Sequence, residues 1–581
     1  MMDHFTSDFR VVRLDDVPLL FALLQRMKVA SLLDQLVPQP LNWAGALSFG
    51  QVVVGWQVYL LRTSDQRLNQ VQEGVAQRWP GYSSCLGQPV RARDFSDDRL
   101  AYVLERLQAT GCWSPFETLL NQRLIRVYDL PAQRVRLTPT TLSTDAPVRE
   151  RGLLQLGHSK DGRAGEAQLK IQRGVLAPRA LPLVTPVVAG NSAEAPLYGP
   201  ALTQVQASRG VGGKTAIGDS QLGARAPRAQ RAAARDFYRC PRGDKQLRKA
   251  ARAALRRAAL RGAVKLQPLV QQRLDARGIN PPVSAEIAAG DETRVRMKAR
   301  QASRVVRWSA RRRVIRAPAY ARGETAALDQ RRARAQQELA ELAVRKQGKR
   351  RLDKPQTRAA ADQSRARHRV ADLLRVQVKS QTTRRAVRSY KERPDETRSA
   401  TVVQVRVARD ETAREEVKER LGWRIYATND PDLTVREAVL AYREQDRIED
   451  GLSRLKGRRL GRAPMLLQTE ARLTGLIYLL TIALRVLTLV EFQVRRALPA
   501  AGKTLKGVYA GPPGRQTARP STELRLAAFR GIDAACGTIK DTFVTYLRPL
   551  TEAQKCILRL LELDALLYEK LLPHFQNLAP E

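Results

Sequence analysis

Cysteine and histidine, from which many metal and redox sites are built, are scarce in this sequence. Its 581 residues hold five cysteines and four histidines. Cys85, Cys112, Cys240, Cys536 and Cys556 are scattered, odd in number and form no C-x-x-C pair. That excludes a disulfide framework and the common zinc modules. His4, His158, His368 and His574 lie too far apart in sequence for a His-ligated metal site to be expected. The opening MMDHFTSDFR carries acid and no apolar run, so no secretory leader is read there. Long apolar runs are also missing. The best, Leu473 to Val490, is broken by Arg485, whereas a membrane span needs about 20 apolar residues. A buried core helix is expected, in a soluble cytoplasmic protein with no membrane partner. Acid is the last deficit: 57 Asp and Glu face 101 Lys and Arg, a net charge of +44. Such a chain meets polyanions, with nucleic acid the first candidate and an anionic membrane surface the weaker one. Hydrophobic residues still make up 43%, enough for real cores, and the length suits about three or four domains.

The pattern along the chain divides into five regions. Residues 1–135 read as helical, with Trp43, Trp56, Trp79 and Trp113 as core anchors and Ser96–Asp98 as a helix start. Residues 136–240 change to strands: RVRLTPTTLSTDAP, LLQLGHSK, AQLKIQRGVL and PLVTPVVAGN. A helical stretch (APLYGPALTQVQAS), a short strand (KTAIGD), an Ala/Arg-rich helix and a strand (FYRCP) follow, which gives a mixed α/β layer fold. Residues 241–430 form a basic insertion. Within 241–400 there are 43 Lys and Arg against 15 Asp and Glu, a net of +28. Its Ala, Arg and Gln favour helix, with Thr325 to Arg345 as a coiled-coil-like segment. TVVQVRVA, with period two, and WRIYATND read as strands near its end. Self-repulsion of that charge calls for an anionic partner. Residues 431–500 and 501–581 read as helical again, the last two separated by a Gly/Pro-rich stretch over 500–520. Thr551–Gln554 has the pattern of a capping box.

Three acids stand out by context. Asp145 and Asp219 end apolar strand-like runs. Glu449 shares a helical face with Tyr442, Gln445 and Lys456, spaced by three, four and seven residues. Two strand-end carboxylates and one on a helix are a donor set for two Mg²⁺ ions, with Mn²⁺ an alternative, since both prefer oxygen ligands. Such an ion pair serves in-line phosphoryl transfer.

Several blocks also carry a family likeness. Gly157–Arg163 (GHSKDGR), Pro186–Tyr198 (PVVAGNSAEAPLY), Ile217–Ser220 (IGDS) and Tyr442–Lys456 (YREQDRIEDGLSRLK) resemble the signatures of bacterial insertion-sequence DDE transposases of the insertion-sequence-four superfamily. The likeness runs, with gaps in the basic block, over most of the chain. It implies a ribonuclease-H-like catalytic core interrupted by an insertion between the second Asp and the Glu, here 230 residues long. It implies Asp145, Asp219 and Glu449 as metal ligands. Tyr442, Lys456, His158 and Lys160 would touch DNA phosphates, with His158–Lys160 on a strand beside the acids. The chain departs from the pattern at Gln445, where the family has Arg, at Ala164–Ala167 and at Gln221.

The expected function is therefore a DNA transposase. It would bind terminal inverted repeats through its N-terminal helices, act on target DNA, and work as a homodimer near the nucleoid. A related nuclease or an inactive DNA-binding relic is a second reading. A non-catalytic basic RNA- or nucleoid-binding protein is a third, which leaves the shared face of Tyr442, Glu449 and Lys456 unexplained.

Overall fold

A computed structural model describes residues 10–577 apart from 42, 110, 145, 161, 164, 178, 211, 244–245, 248, 263–266, 274–282, 302, 343–351, 388–395, 444–453, 455–456, 458–466, 468, 501–503, 510–513 and 540–541. The chain folds as mixed α/β in two compact units. The first comprises residues 1–246, 294–311 and 427–581, and the second 247–293 and 312–426.

In the first unit the chain enters through strand β1 (Arg10–Arg13) and a run of helices from Val17 to Val127. The helix Phe49–Thr63 opens on a capping box between Ser48 and Gln51, which satisfies two backbone donors that would otherwise be orphaned. Trp56 and Trp113 are buried, as anchors of a core should be. The sheet begins with β2 (Arg134–Thr144), β3 (Ala167–Leu176), β4 (Leu181–Val184) and β5 (Val187–Ala189). It continues with β6 (Thr215–Gly218) and β7 (Phe237–Pro241). Spatial order is β4-β3-β2-β6-β7, with β5 also on β3. β3 runs antiparallel to β2, while β2, β6 and β7 are parallel. The two parallel steps need crossovers. The helices Glu194–Arg209 and Arg225–Ala233 follow β5 and β6 in the chain. Every residue of β3 is buried.

The helix Glu470–Ala500 explains the apolar run. It is long and apolar enough to cross a membrane, yet it is buried within the protein. It packs on the helix Asp97–Gln108, and a Cβ on Gly475 would meet the Leu104 carbonyl oxygen at 2.1 Å. Arg485, which interrupts the run, is fully buried and paired with the equally buried Glu117 at 2.7 Å. Glu117 also accepts from Thr185 and Gln204. Burial holds the Glu117 carboxyl above its ordinary value, with Arg485 and Thr185 opposing. The polar break is thus a tie between helices and the β4 edge.

The ends of the chain differ from the helical reading. β16 (Asp533–Ile539) pairs with β1 and with β17 (Thr542–Leu547), giving a three-stranded sheet that joins the two termini. Two short strands, β14 (Leu505–Lys506) and β15 (Gln516–Thr517), fall in the Gly/Pro-rich stretch. The capping box at Thr551 and Gln554 is present.

The basic insertion is not mostly helical. It holds β8 (Gln267–Arg273), β9 (Val283–Gln301), β10 (Arg304–Arg316), β11 (Leu374–Val387), β12 (Glu396–Arg409) and β13 (Trp423–Thr428). β9 and β10 pass from one unit into the other. In the second unit β11 and β12 form a two-stranded antiparallel ribbon with fourteen residue pairs in register. One face of it packs on the helices Pro318–Glu341 and Lys354–His368 through Leu374, Val376 and Val378. Alternation with period two wins over helix propensity because those helices give each apolar face a partner.

Candidate nucleic-acid site at the ends of β2 and β6

Asp219 directly follows β6 and is half-buried. Its Oδ1 accepts from the Tyr198 hydroxyl at 2.8 Å and from the Gln221 backbone N–H at 2.7 Å. Burial, followed by the Asp219 charge, raises the Tyr198 phenol well above its ordinary value, so it stays a donor. One carboxylate oxygen is thus fixed from two sides, which orients the group.

Register decides what lies beside Asp219. Leu137 of β2 pairs with Gly218, the last residue of β6. Asp219 is therefore level with Thr138. β2 runs on to Thr144, seven residues beyond Leu137, or about 23 Å of strand. The idea that two neighbouring strand ends bring Asp145 and Asp219 together rests on the strands ending level, and they do not. Asp145 itself lies outside the described residues, as do Glu449 and Lys456. Tyr442 belongs to the helix Val435–Arg443.

Thr138 is paired across β2 and β3 with Arg173. Arg173 is fully buried, and its Nη1 and Nη2 have no hydrogen-bond partner among the described residues. Burial, with Arg485 adding like charge, lowers its guanidinium to about 10. A buried cation without a counter-charge is costly, and here it sits across from an uncharged residue.

The signature segment reaches the same stretch of β2, but as an irregular chain and not as a strand. Only Gln155 makes a single bridge, to Gln168. His158 is exposed. Lys160 is held tightly: its N–H donates to Thr141 Oγ1 at 2.9 Å, and its Nζ to the Pro139 carbonyl at 3.0 Å and to Glu194 at 2.8 Å. Lys170, paired with Thr141 in the β2–β3 register, donates Nζ to the Ser192 carbonyl at 2.5 Å. Burial lowers its ammonium, with Glu194 opposing and Lys160 reinforcing. Two ammonium groups and one carboxylate thus collect beside Pro139–Thr141. Of the residues gathered here the sequence singles out Lys160 and Asp219, but not Thr138, Arg173, Lys170 or Glu194. The Thr138–Asp219 alignment is set by pairing between strands some eighty residues apart, which no local pattern carries.

Among the described residues no three His, Cys, Asp or Glu come together as a metal site. Of the three expected ligands, only Asp219 lies among the described residues, and its Oδ1 already accepts from Tyr198 and the Gln221 N–H.

No protein-family model matches the sequence, and no curated protein does either. Among solved structures the chain is similar to a piggyBac transposase in a synaptic complex with hairpin DNA. Identity there is 8% and the TM-score 0.33, over 85% of this chain and 77% of that one.

Proposed function

We propose that this protein is a transposase-type DNA-binding protein that holds the ends of a mobile element on a ribonuclease-H-like core. The observation that carries the reading is the order β4-β3-β2-β6-β7, with β3 antiparallel and β2, β6 and β7 parallel, and Asp219 at the end of β6. That order, with one antiparallel strand beside parallel ones, supports the core that the signature blocks imply. The net charge of +44, concentrated in the basic insertion, supports a phosphate-backbone partner.

For strand chemistry the register favours position 138, not 145, as the place of the first acid. Thr138 there puts no carboxylate opposite Arg173 or level with Asp219 on β2. The wild-type chain accordingly binds ends without cutting them. Tyr442 and Lys456 keep their phosphate-binding roles in this proposal, while Glu449 and Mg²⁺ would serve cutting only once a first acid is restored.

The test uses duplexes carrying the boundaries of the DNA element that encodes the chain, beside scrambled duplexes. Preferential binding of the boundary duplex, weakening steeply with salt, is expected. Equal, salt-insensitive binding of both would refute it.

A further inference from the structure

We infer that the β11–β12 ribbon reads base edges in the major groove of double-stranded DNA. The inference rests on the DNA-binding reading above and adds to it a site for sequence recognition outside the core.

The ribbon has two unlike faces. Leu374, Val376 and Val378 are buried against helices. The opposite face carries Gln377, Lys379 and Gln381 on β11 and Arg406, Gln404 and Val402 on β12, all exposed. They stand in cross-strand pairs: Gln377 with Arg406, Lys379 with Gln404, Gln381 with Val402. Arg375, next on this face, is engaged by Asp410 at 2.6 Å. Asp410 also caps the following helix through the Ala413 N–H, so the base of the ribbon is braced. A face with five long polar side chains and no acid among them, in a block of net charge +28, is complementary to a polyanion.

Its chemistry and dimensions select the partner. The major groove of B-DNA admits a two-stranded ribbon, and Arg or Lys on guanine, Gln on adenine and an apolar contact on the thymine methyl are its standard pairings. Side chains two residues apart on a strand are spaced by ~6.8 Å, close to two base-pair steps of ~3.4 Å each. Gln377 to Gln381 therefore spans about four base pairs. Duplex RNA hides its major groove from side chains, and single strands call for aromatic stacking. This face has no aromatic residue.

The experiment is selection from a duplex library with a randomised core, using the full chain. Wild type is compared with Lys379→Ala, Arg406→Ala and the triple variant Gln377→Ala/Gln404→Ala/Arg406→Ala. Circular dichroism and melting serve as folding controls. Enrichment of a short motif is expected, with methylation of guanine N7 in that motif interfering with binding. Arg406→Ala is expected to weaken the selected duplex by roughly 5- to 150-fold and a random duplex far less. Arg406→Lys, which is certain to keep the charge, should retain most of the random-duplex affinity. A motif enriched equally by wild type and a folded triple variant would overturn the inference while leaving DNA binding intact. Equal affinity for duplex RNA would overturn it too. No binding to any duplex by the wild type would overturn both it and the function it rests on.

Discussion

Replacing Glu117 by Gln should be among the most destabilising conservative changes in the protein. The carboxylate is fully buried and meets Arg485 at 2.7 Å, with Thr185 and Gln204 completing its shell. Gln keeps the volume and removes the charge, leaving Arg485 as an uncompensated buried cation. Taking away one partner of such a pair costs about 3–5 kcal/mol. The upper part of that range applies, because Arg173 already adds unpaired like charge beside Arg485. Against a domain stability of about 5–15 kcal/mol, the loss is severe. Removing both charges should be far milder, since a buried pair exchanged for apolar side chains is often neutral. Urea unfolding followed by circular dichroism measures it, for wild type, Glu117→Gln, Arg485→Met and the double variant. A cost below about 1 kcal/mol for Glu117→Gln, or a double variant no better than the single ones, would refute the reasoning.

Further outcomes follow from the same geometry. Gly475→Ala drives a methyl into the Leu104 carbonyl and should cost roughly 1–3 kcal/mol by forcing two packed helices apart; an unchanged melting temperature would contradict the close approach. Thr138→Asp supplies a carboxylate opposite Arg173 and should leave stability equal or higher, whereas a large loss would show that Arg173 does not face that position. In the second unit a hydrogen bond from Arg414 lowers the Asp329 carboxyl, and bonds from Ser364 and His368 lower that of Glu338. Depressed carboxyls stabilise above their unfolded values of about 4 and lose that contribution as pH falls through the folded ones. The opening free energy of the helices Pro318–Glu341 and Lys354–His368, from hydrogen exchange corrected for the intrinsic pH dependence of amide exchange, should thus be flat from neutral pH to about 5 and fall below about 4, shallowly because both groups are partly exposed. Slower opening in acid would reverse the sign.

The parts legible in the sequence are those with a local signature. β3 and β6 are readable as apolar runs of strand length, and the helix holding Arg485 as a buried core helix, although it extends beyond the apolar run and is long enough to cross a membrane. β12 showed in the alternation of Val403, Val405 and Val407. Its partner β11 has the same alternation at Val376 and Val378, but it sits in Ala/Arg-rich surroundings whose helix propensity masked it. The β1–β16 pairing, Arg10 with Cys536, joins residues too far apart for any window to see. GHSKDGR read as a strand continuation, yet Gly157 lies where an added Cβ would meet the Gly190 carbonyl oxygen at 2.7 Å, a close approach rather than a ladder. At the site, the last acid of an apolar run drew the eye to Asp145. Only the β2–β6 register shows that the position level with Asp219 is Thr138.

The most direct test of the central claim is to map 3′-hydroxyl ends on boundary duplexes incubated with Mg²⁺ or Mn²⁺ and wild type, Asp145→Ala, Thr138→Asp, or Thr138→Asp/Asp219→Ala. End binding by all four is expected, with cuts at the boundary for Thr138→Asp alone. Cutting by wild type that Asp145→Ala abolishes would contradict it and place the first acid at 145.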